Sequence, residues 1–90
     1  MDRKSLMQSV ILIARQPDQG NNLHLAMLKI EEFLKPIALN KAAQRAELEW
    51  MEEEVIRQKR DDPTVSKLFE SLQDLIEVHL RKLDEEEPEP

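Results

Sequence analysis

The sequence predicts an all-α fold, a small antiparallel bundle of three to four helices with a kink or break near Pro36. Ala, Glu, Lys, Leu and Arg supply 45 of the 90 residues, and such usage is typical of helical proteins because these side chains lose little freedom in a helix. The chain holds a single Gly and only 3% aromatic residues, whereas β-rich folds need turn glycines and strand-forming side chains. Apolar residues also recur every three to four positions, as on the buried face of a helix.

The first helix is expected to run from Asp2 or Ser5 to Arg15. Ser5 and Gln8 have the spacing of a capping box, in which two side chains satisfy unpaired backbone amides, and Asp2 is the competing N-cap. A broad apolar face follows, made of Leu6, Met7, Val10, Ile11, Ile13 and Ala14. Residues 17–22 contain Pro, Gly and Asn and predict a loop.

The second helix is predicted to begin near Asn22, which acts as its N-cap. Its apolar stripe consists of Leu23, Met27, Ile30, Leu34 and Ile37. Pro36 has no amide hydrogen and costs about 3 kcal/mol inside a helix, so the helix should break there. We expect Pro36 in the first turn of the third helix. A start at Asn40 is less favoured, because it leaves Ile37 and Leu39 in a loop.

The third helix is expected to end near Arg60. The sequence then places Asp62 as the N-cap of the last helix and Pro63 at its first position. Two stripes mark the third helix, one of Leu39, Ala43, Ala46 and Trp50 and one of Leu48, Met51 and Val55. The stripe of the last helix consists of Val65, Phe69, Leu72, Ile76, Leu80 and Leu83.

The formal net charge of −6 belongs mostly to the C-terminal segment. Residues 84–90 hold five acids, two prolines and no apolar side chain, so they are predicted to be a disordered tail. Residues 1–83 are predicted to be one helical domain, with 13 basic and 14 acidic residues. The domain is therefore nearly neutral and shows no basic face of the kind that binds nucleic acid.

The composition points away from catalysis. The chain has no Cys, and neither His24 nor His79 follows an acid by three residues, the spacing of a carboxylate metal site. No Ser lies in a Gly-flanked turn of the type that holds a nucleophile. We therefore predict no catalytic, cofactor or metal site, and no enzyme. A metal bound by Glu49, Glu53 or His79 would reverse that prediction.

The segment around Trp50 is the candidate partner-binding site. Trp50, Leu48 and Met51 would form an apolar anchor ringed by acids that include Glu47 and Glu54, the usual composition of an interface hot spot. The simpler interpretation is a solvated helix face, with Trp50 and Met51 packed into the core. The basic residues Arg57, Lys59 and Arg60 are the candidates for a nucleic-acid contact, although their place at a helix end favours a role in helix capping.

The predicted function is that of a small helical protein–protein interaction module, such as an adaptor, a chaperone-like protein or an anti-factor regulator. No segment approaches the ~20 apolar residues of a membrane span, and the cytoplasm is the expected compartment. The wide apolar faces predict a homodimer, the simplest closed assembly. The alternative function is a nucleic-acid-related regulator, which would act by direct binding or by acidic mimicry of DNA.

Overall fold

The computed structural model describes residues 2–17 and 21–86, which form four α-helices and one short 3-10 helix without any β-strand. In chain order the elements are α1 (Arg3–Arg15), α2 (Asn22–Leu34), the 3-10 helix (Lys35–Ile37), α3 (Lys41–Asp61) and α4 (Pro63–Glu86). The predicted all-α bundle is confirmed, as is the break near Pro36.

Asp2, and not Ser5, caps the start of α1. The Asp2 Oδ1 atom accepts the Ser5 amide at 2.7 Å, and Ser5 lies inside the first helical turn. The capping box expected from Ser5 and Gln8 is therefore wrong. A carboxylate suits this position because it accepts an unpaired amide and also opposes the positive end of the helix dipole.

The expected N-cap role of Asn22 is also wrong. Asn21 occupies the N-cap position of α2 without a side-chain hydrogen bond. The Asn22 Nδ2 atom instead donates to the carbonyl oxygens of Ile13 and Gln16, at 3.1 and 3.2 Å. Asn22 thus satisfies the end of α1 rather than the start of α2. Residues 18–20 of the predicted loop lie outside the described residues.

The interruption between the second and third helices at Pro36 is longer than predicted. Pro36 lies in the 3-10 helix, and α3 begins only at Lys41, with the Asn40 side chain accepting the Ala43 amide at 3.0 Å. The less favoured start at Asn40 is therefore the correct one. Both apolar residues before Asn40 lie outside α3, as that start implies. Ile37 still packs against the core, whereas Leu39 is 101% exposed.

Gln44 stabilises this break from within α3. Its side chain is buried, and its Nε2 atom donates to the carbonyl oxygens of Ile37 and Ala38 at 3.1 and 2.6 Å. The Ile37 carbonyl also accepts the Asn40 amide at 3.0 Å. The Gln44 amide therefore adds a second hydrogen bond at Ile37 and supplies one to the carbonyl of Ala38.

The core lies around α4, which contacts each of the other three helices. Helix α3 packs along α4, and α1 packs against α2. Phe69 is the largest fully buried side chain. The buried apolar residues are Leu6, Met7, Val10, Ala26, Ile30, Leu34, Leu48, Met51, Val55, Val65, Phe69, Leu72, Ile76 and Leu83.

The α3–α4 hairpin is antiparallel and is joined by polar contacts along its length. Near the connection, Lys59 Nζ donates to Gln73 Oε1 at 2.8 Å, and at the far end Arg45 pairs with Asp84. We call this contact line the α3–α4 seam. The pair with Arg45 lies beyond Leu83, and α4 continues through residues 84–86, past the predicted domain boundary. Residues 87–90 of the predicted tail lie outside the described residues.

Asp62 connects the two helices of the hairpin and also reaches α1. It accepts the Thr64 amide at 3.0 Å and the Thr64 hydroxyl at 2.6 Å, and α4 begins at Pro63. The Arg15 Nη2 atom lies 2.7 Å from Asp62 Oδ2. These hydrogen bonds from Thr64 and Arg15 lower the pKa of Asp62 to about 2. The structure thus has Asp62 and Pro63 where the sequence predicted them.

Candidate protein-interaction surface

The five residues predicted around Trp50 do not form one surface patch. Leu48 and Met51 are each 1% exposed and lie in the core. Glu47, Trp50 and Glu54 are half-buried, and Trp50 packs against the core. The apolar anchor expected of this segment is therefore not an exposed patch, since all three of its apolar members contact the core.

The exposed part of Trp50 is engaged by α1. The Arg3 guanidinium carbon lies 5.3 Å from the centre of the indole ring, within cation–π range. Arg3 also makes a bidentate contact with Glu47, through Nε and Nη2 at 2.8 and 2.7 Å. Glu54 pairs with Arg57 within α3. The polar and aromatic groups of the predicted site thus hold α1 to α3 and neutralise local charge.

The candidate nucleic-acid residues also have partners within the chain. Arg57 pairs with Glu54, and Lys59 donates to Gln73. Arg60 Nε lies 3.1 Å from Asp61 Oδ1. Each of the three cations thus contacts an acid or amide of its own hairpin, and their geometry lends no support to a phosphate-binding face.

A metal centre and a membrane-spanning helix are both absent from the part of the chain that the structure describes. Across residues 2–17 and 21–86, no three His, Asp or Glu side chains gather closely enough to hold a metal ion. This covers Glu49, Glu53 and His79. Within those ranges, no helix has both the length and the apolar character needed to cross a bilayer.

A cavity of about 880 Å³ lies where α1 ends and α4 begins. Its walls include the apolar side chains of Ala14, Leu23 and Leu68, with Lys67 and the Arg15–Asp62 pair among its polar groups. Among the described residues, no buried side-chain nitrogen or oxygen lacks a hydrogen-bond partner. The cavity therefore presents no buried polar side chain that is left unpaired for a ligand.

The outward side of α2 carries two exposed leucines one helical turn apart. Leu25 is 39% exposed and Leu28 is 45% exposed, and residues three apart on a helix are neighbours on its surface. The other large exposed apolar residues of the described chain lie singly, one each on α1, α3 and α4 and one in the turn before α3: Leu12, Ile56, Val78 and Leu39. Single exposed apolar residues are normal, so the adjacent pair on α2 is the candidate contact surface.

The charged side chains around these leucines have no partners within the described chain. His24, Lys29, Glu31 and Glu32 make no side-chain hydrogen bond or ion pair there, whereas α1, α3 and α4 each take part in ion pairs. We define the α2 outer face by six exposed residues of this helix and its N-cap: Asn21, His24, Leu25, Leu28, Glu31 and Glu32.

The sequence contained a signal for this surface. Leu25 and Leu28 are apolar but fall outside the stripe that contains Leu23, Met27 and Ile30, so α2 has apolar residues on two sides. The stripe accounts for the core contact of α2, and the leucines of the second side are exposed. No protein-family model, curated protein or solved structure matches this chain, and the surface is therefore judged by its geometry.

Proposed function

We propose that this chain is a small cytoplasmic protein–protein interaction module without catalytic activity, which binds through the α2 outer face as a homodimer or to another protein. One observation carries the proposal: Leu25 and Leu28 are adjacent, exposed and surrounded by charged residues without partners within the described chain. Apolar centres with a polar rim are the usual construction of a protein interface.

The position of the surface on the fold supports this role. Helix α2 buries Ala26, Ile30 and Leu34 on its inner side, so its backbone is held in place before any partner arrives. A rigid helix loses little conformational entropy when its outward side chains are covered. The side chains of Arg3, Glu47 and Trp50 already contact each other. A partner that bound there would have to break these contacts and so weaken the contact between α1 and α3.

Affinity capture from an extract of the native host tests the surface with a matched pair of variants. The double variant Leu25→Glu/Leu28→Glu changes the α2 outer face. The control, Leu12→Glu/Leu39→Glu, changes two exposed leucines elsewhere in the same way. We expect the control to retain the captured proteins and the α2 variant to lose them, with the helical circular dichroism of both unchanged.

Two results would contradict the proposal. Equal losses in both double variants would show that capture depends on general surface hydrophobicity. Retention by the α2 variant, combined with loss on Trp50→Ala, would place the contact at the segment around Trp50 instead.

A further inference from the structure

We infer that the α2 outer face binds a second copy of the same chain, with the two α2 helices antiparallel and Leu25 of each facing Leu28 of the partner subunit. This inference rests on the proposed function and names the partner. The leucine pair gives the register. A two-fold axis that passes midway between Leu25 and Leu28 places Leu25 of each chain against Leu28 of the partner subunit.

The charges of the α2 outer face agree with that register. In an antiparallel pair, a residue that follows the two-fold axis by a given number of positions lies level with the partner residue that precedes it by the same number. Glu32 therefore lies beside Asn21 of the partner subunit. Asn21 is the N-cap of α2 and makes no side-chain capping bond. The first amides of α2 therefore lack a side-chain acceptor from this cap, and a carboxylate from the partner is favourable there.

The edges of the two helices are also complementary. A two-fold axis across an antiparallel pair brings each edge against the same edge of the other helix. His24 and Glu31 lie on the same edge of α2. In the dimer, His24 of one chain is within about two residues along the helix axis of the partner's Glu31, so its imidazole can donate to that carboxylate. With histidine counted as neutral, the arrangement opposes no two like charges.

The size of the contact predicts a weak dimer. A 13-residue helix is about 20 Å long, and a pair of them buries less than the roughly 1,600 Å² of a standard stable complex. We therefore expect self-association that depends on concentration, with a dissociation constant on the order of tens of micromolar.

Sedimentation equilibrium of the full chain from about 5 µM to 1 mM tests this inference. We expect a monomer–dimer equilibrium that Leu25→Glu/Leu28→Glu weakens at least ~30-fold and Leu12→Glu/Leu39→Glu leaves within about two-fold. Glu32→Gln should weaken it only ~2- to 5-fold, as expected for loss of one charge near a helix terminus. A wild-type monomer at 1 mM, or a dimer that the α2 variant retains, would overturn the inference.

Engineered thiols test the register, since the chain has no Cys of its own. An equimolar mixture of Leu25→Cys and Leu28→Cys should oxidise mainly to the mixed disulfide, because these positions face each other. Leu12→Cys, the exposed control, should cross-link no faster than random collision allows. Equal amounts of mixed and like disulfides would overturn the register. If the chain is monomeric but still captures host proteins through the α2 outer face, the proposed function holds and the inference of self-association is wrong.

Discussion

The α3–α4 seam and the α2 outer face contain similar residue types but use them differently. Along the seam, Lys59 contacts Gln73 and Arg45 pairs with Asp84, so charged groups meet partners from the same chain. On the α2 outer face, Leu25 and Leu28 and the carboxylates of Glu31 and Glu32 remain uncovered within the described residues. A charged helix face thus stabilises the fold where another helix opposes it, whereas the α2 outer face, which no described helix covers, is left for the contact that we propose.

The largest expected difference between the two regions is in stability. Leu48→Ala removes a side chain that is 1% exposed, and such cavities typically cost about 2–5 kcal/mol of unfolding free energy. Leu28→Ala, on the α2 outer face, should change it by less than about 0.5 kcal/mol. Urea denaturation of both variants at low protein concentration measures these values. Equal losses would show that Leu28 is a core residue and not a contact residue.

The next largest effect concerns the buried polar group that stabilises the break near Pro36. Gln44→Ala leaves the carbonyl oxygens of Ile37 and Ala38 without their side-chain donor, which should cost about 1–3 kcal/mol. Gln58→Ala is the control, because Gln58 lies on α3 without a side-chain hydrogen bond among the described residues. Thermal melts compare the two, and an unchanged melting temperature in Gln44→Ala would refute the capping role.

The third effect depends on pH and involves Asp62. Hydrogen bonds from Thr64 and Arg15 hold its pKa at about 2, below the unfolded value of 3.8. Its stabilising contribution is therefore present above pH 3.8 and disappears as the pH falls through about 2. Asp62→Asn should melt at a lower temperature than wild type at pH 7, with the difference vanishing near pH 2. Asp61→Asn serves as the neighbouring control and should show a smaller difference.

The smallest effect has the opposite sign and arises within the α3–α4 seam. Burial, followed by the nearby Glu77 carboxylate, raises the pKa of Glu52 above 4.5. The folded state thus favours protonated Glu52, and stability from this group is lost as the pH rises through the raised pKa. Glu52→Gln should raise the melting temperature at pH 7 and have no effect below about pH 4. A lower melting temperature at pH 7 would contradict this, and Glu53→Gln is the exposed control.

Much of the fold could be predicted from the sequence because helix interiors depend on local periodicity. The α3 stripe of Leu48, Met51 and Val55, the stripe of α4 and the start of α4 at Pro63 follow from spacing and capping chemistry alone. The other stripe predicted for α3 is wrong, because Leu39 precedes the helix and both Leu39 and Ala46 are exposed. The capping roles of Asn22 and Gln44 could not be predicted this way. Each bonds to a neighbouring segment of the chain, so its role depends on how the elements pack.

The candidate site was harder to predict, because a surface is defined by what remains uncovered. Whether Leu48 faces a partner or the core depends on how α4 packs along α3. The contact over Trp50 comes from α1, whose Arg3 reaches Glu47 across 44 positions of sequence. A local sequence pattern cannot predict a contact between residues so far apart in the chain. Leu25 and Leu28 could be noticed as extra apolar residues, but their exposure follows only from the packing of α2 against α1 and α4.

The measurement that tests the central claim most directly is a dilution series of amide NMR spectra on the full chain. Between about 20 µM and 1 mM, we expect concentration-dependent shifts that cluster at residues 21–32 and spare residues 47–54. The Leu25→Glu/Leu28→Glu variant should show no such shifts. Shifts centred on Trp50, or spectra that do not change with concentration, would contradict the assignment of the α2 outer face as the contact surface.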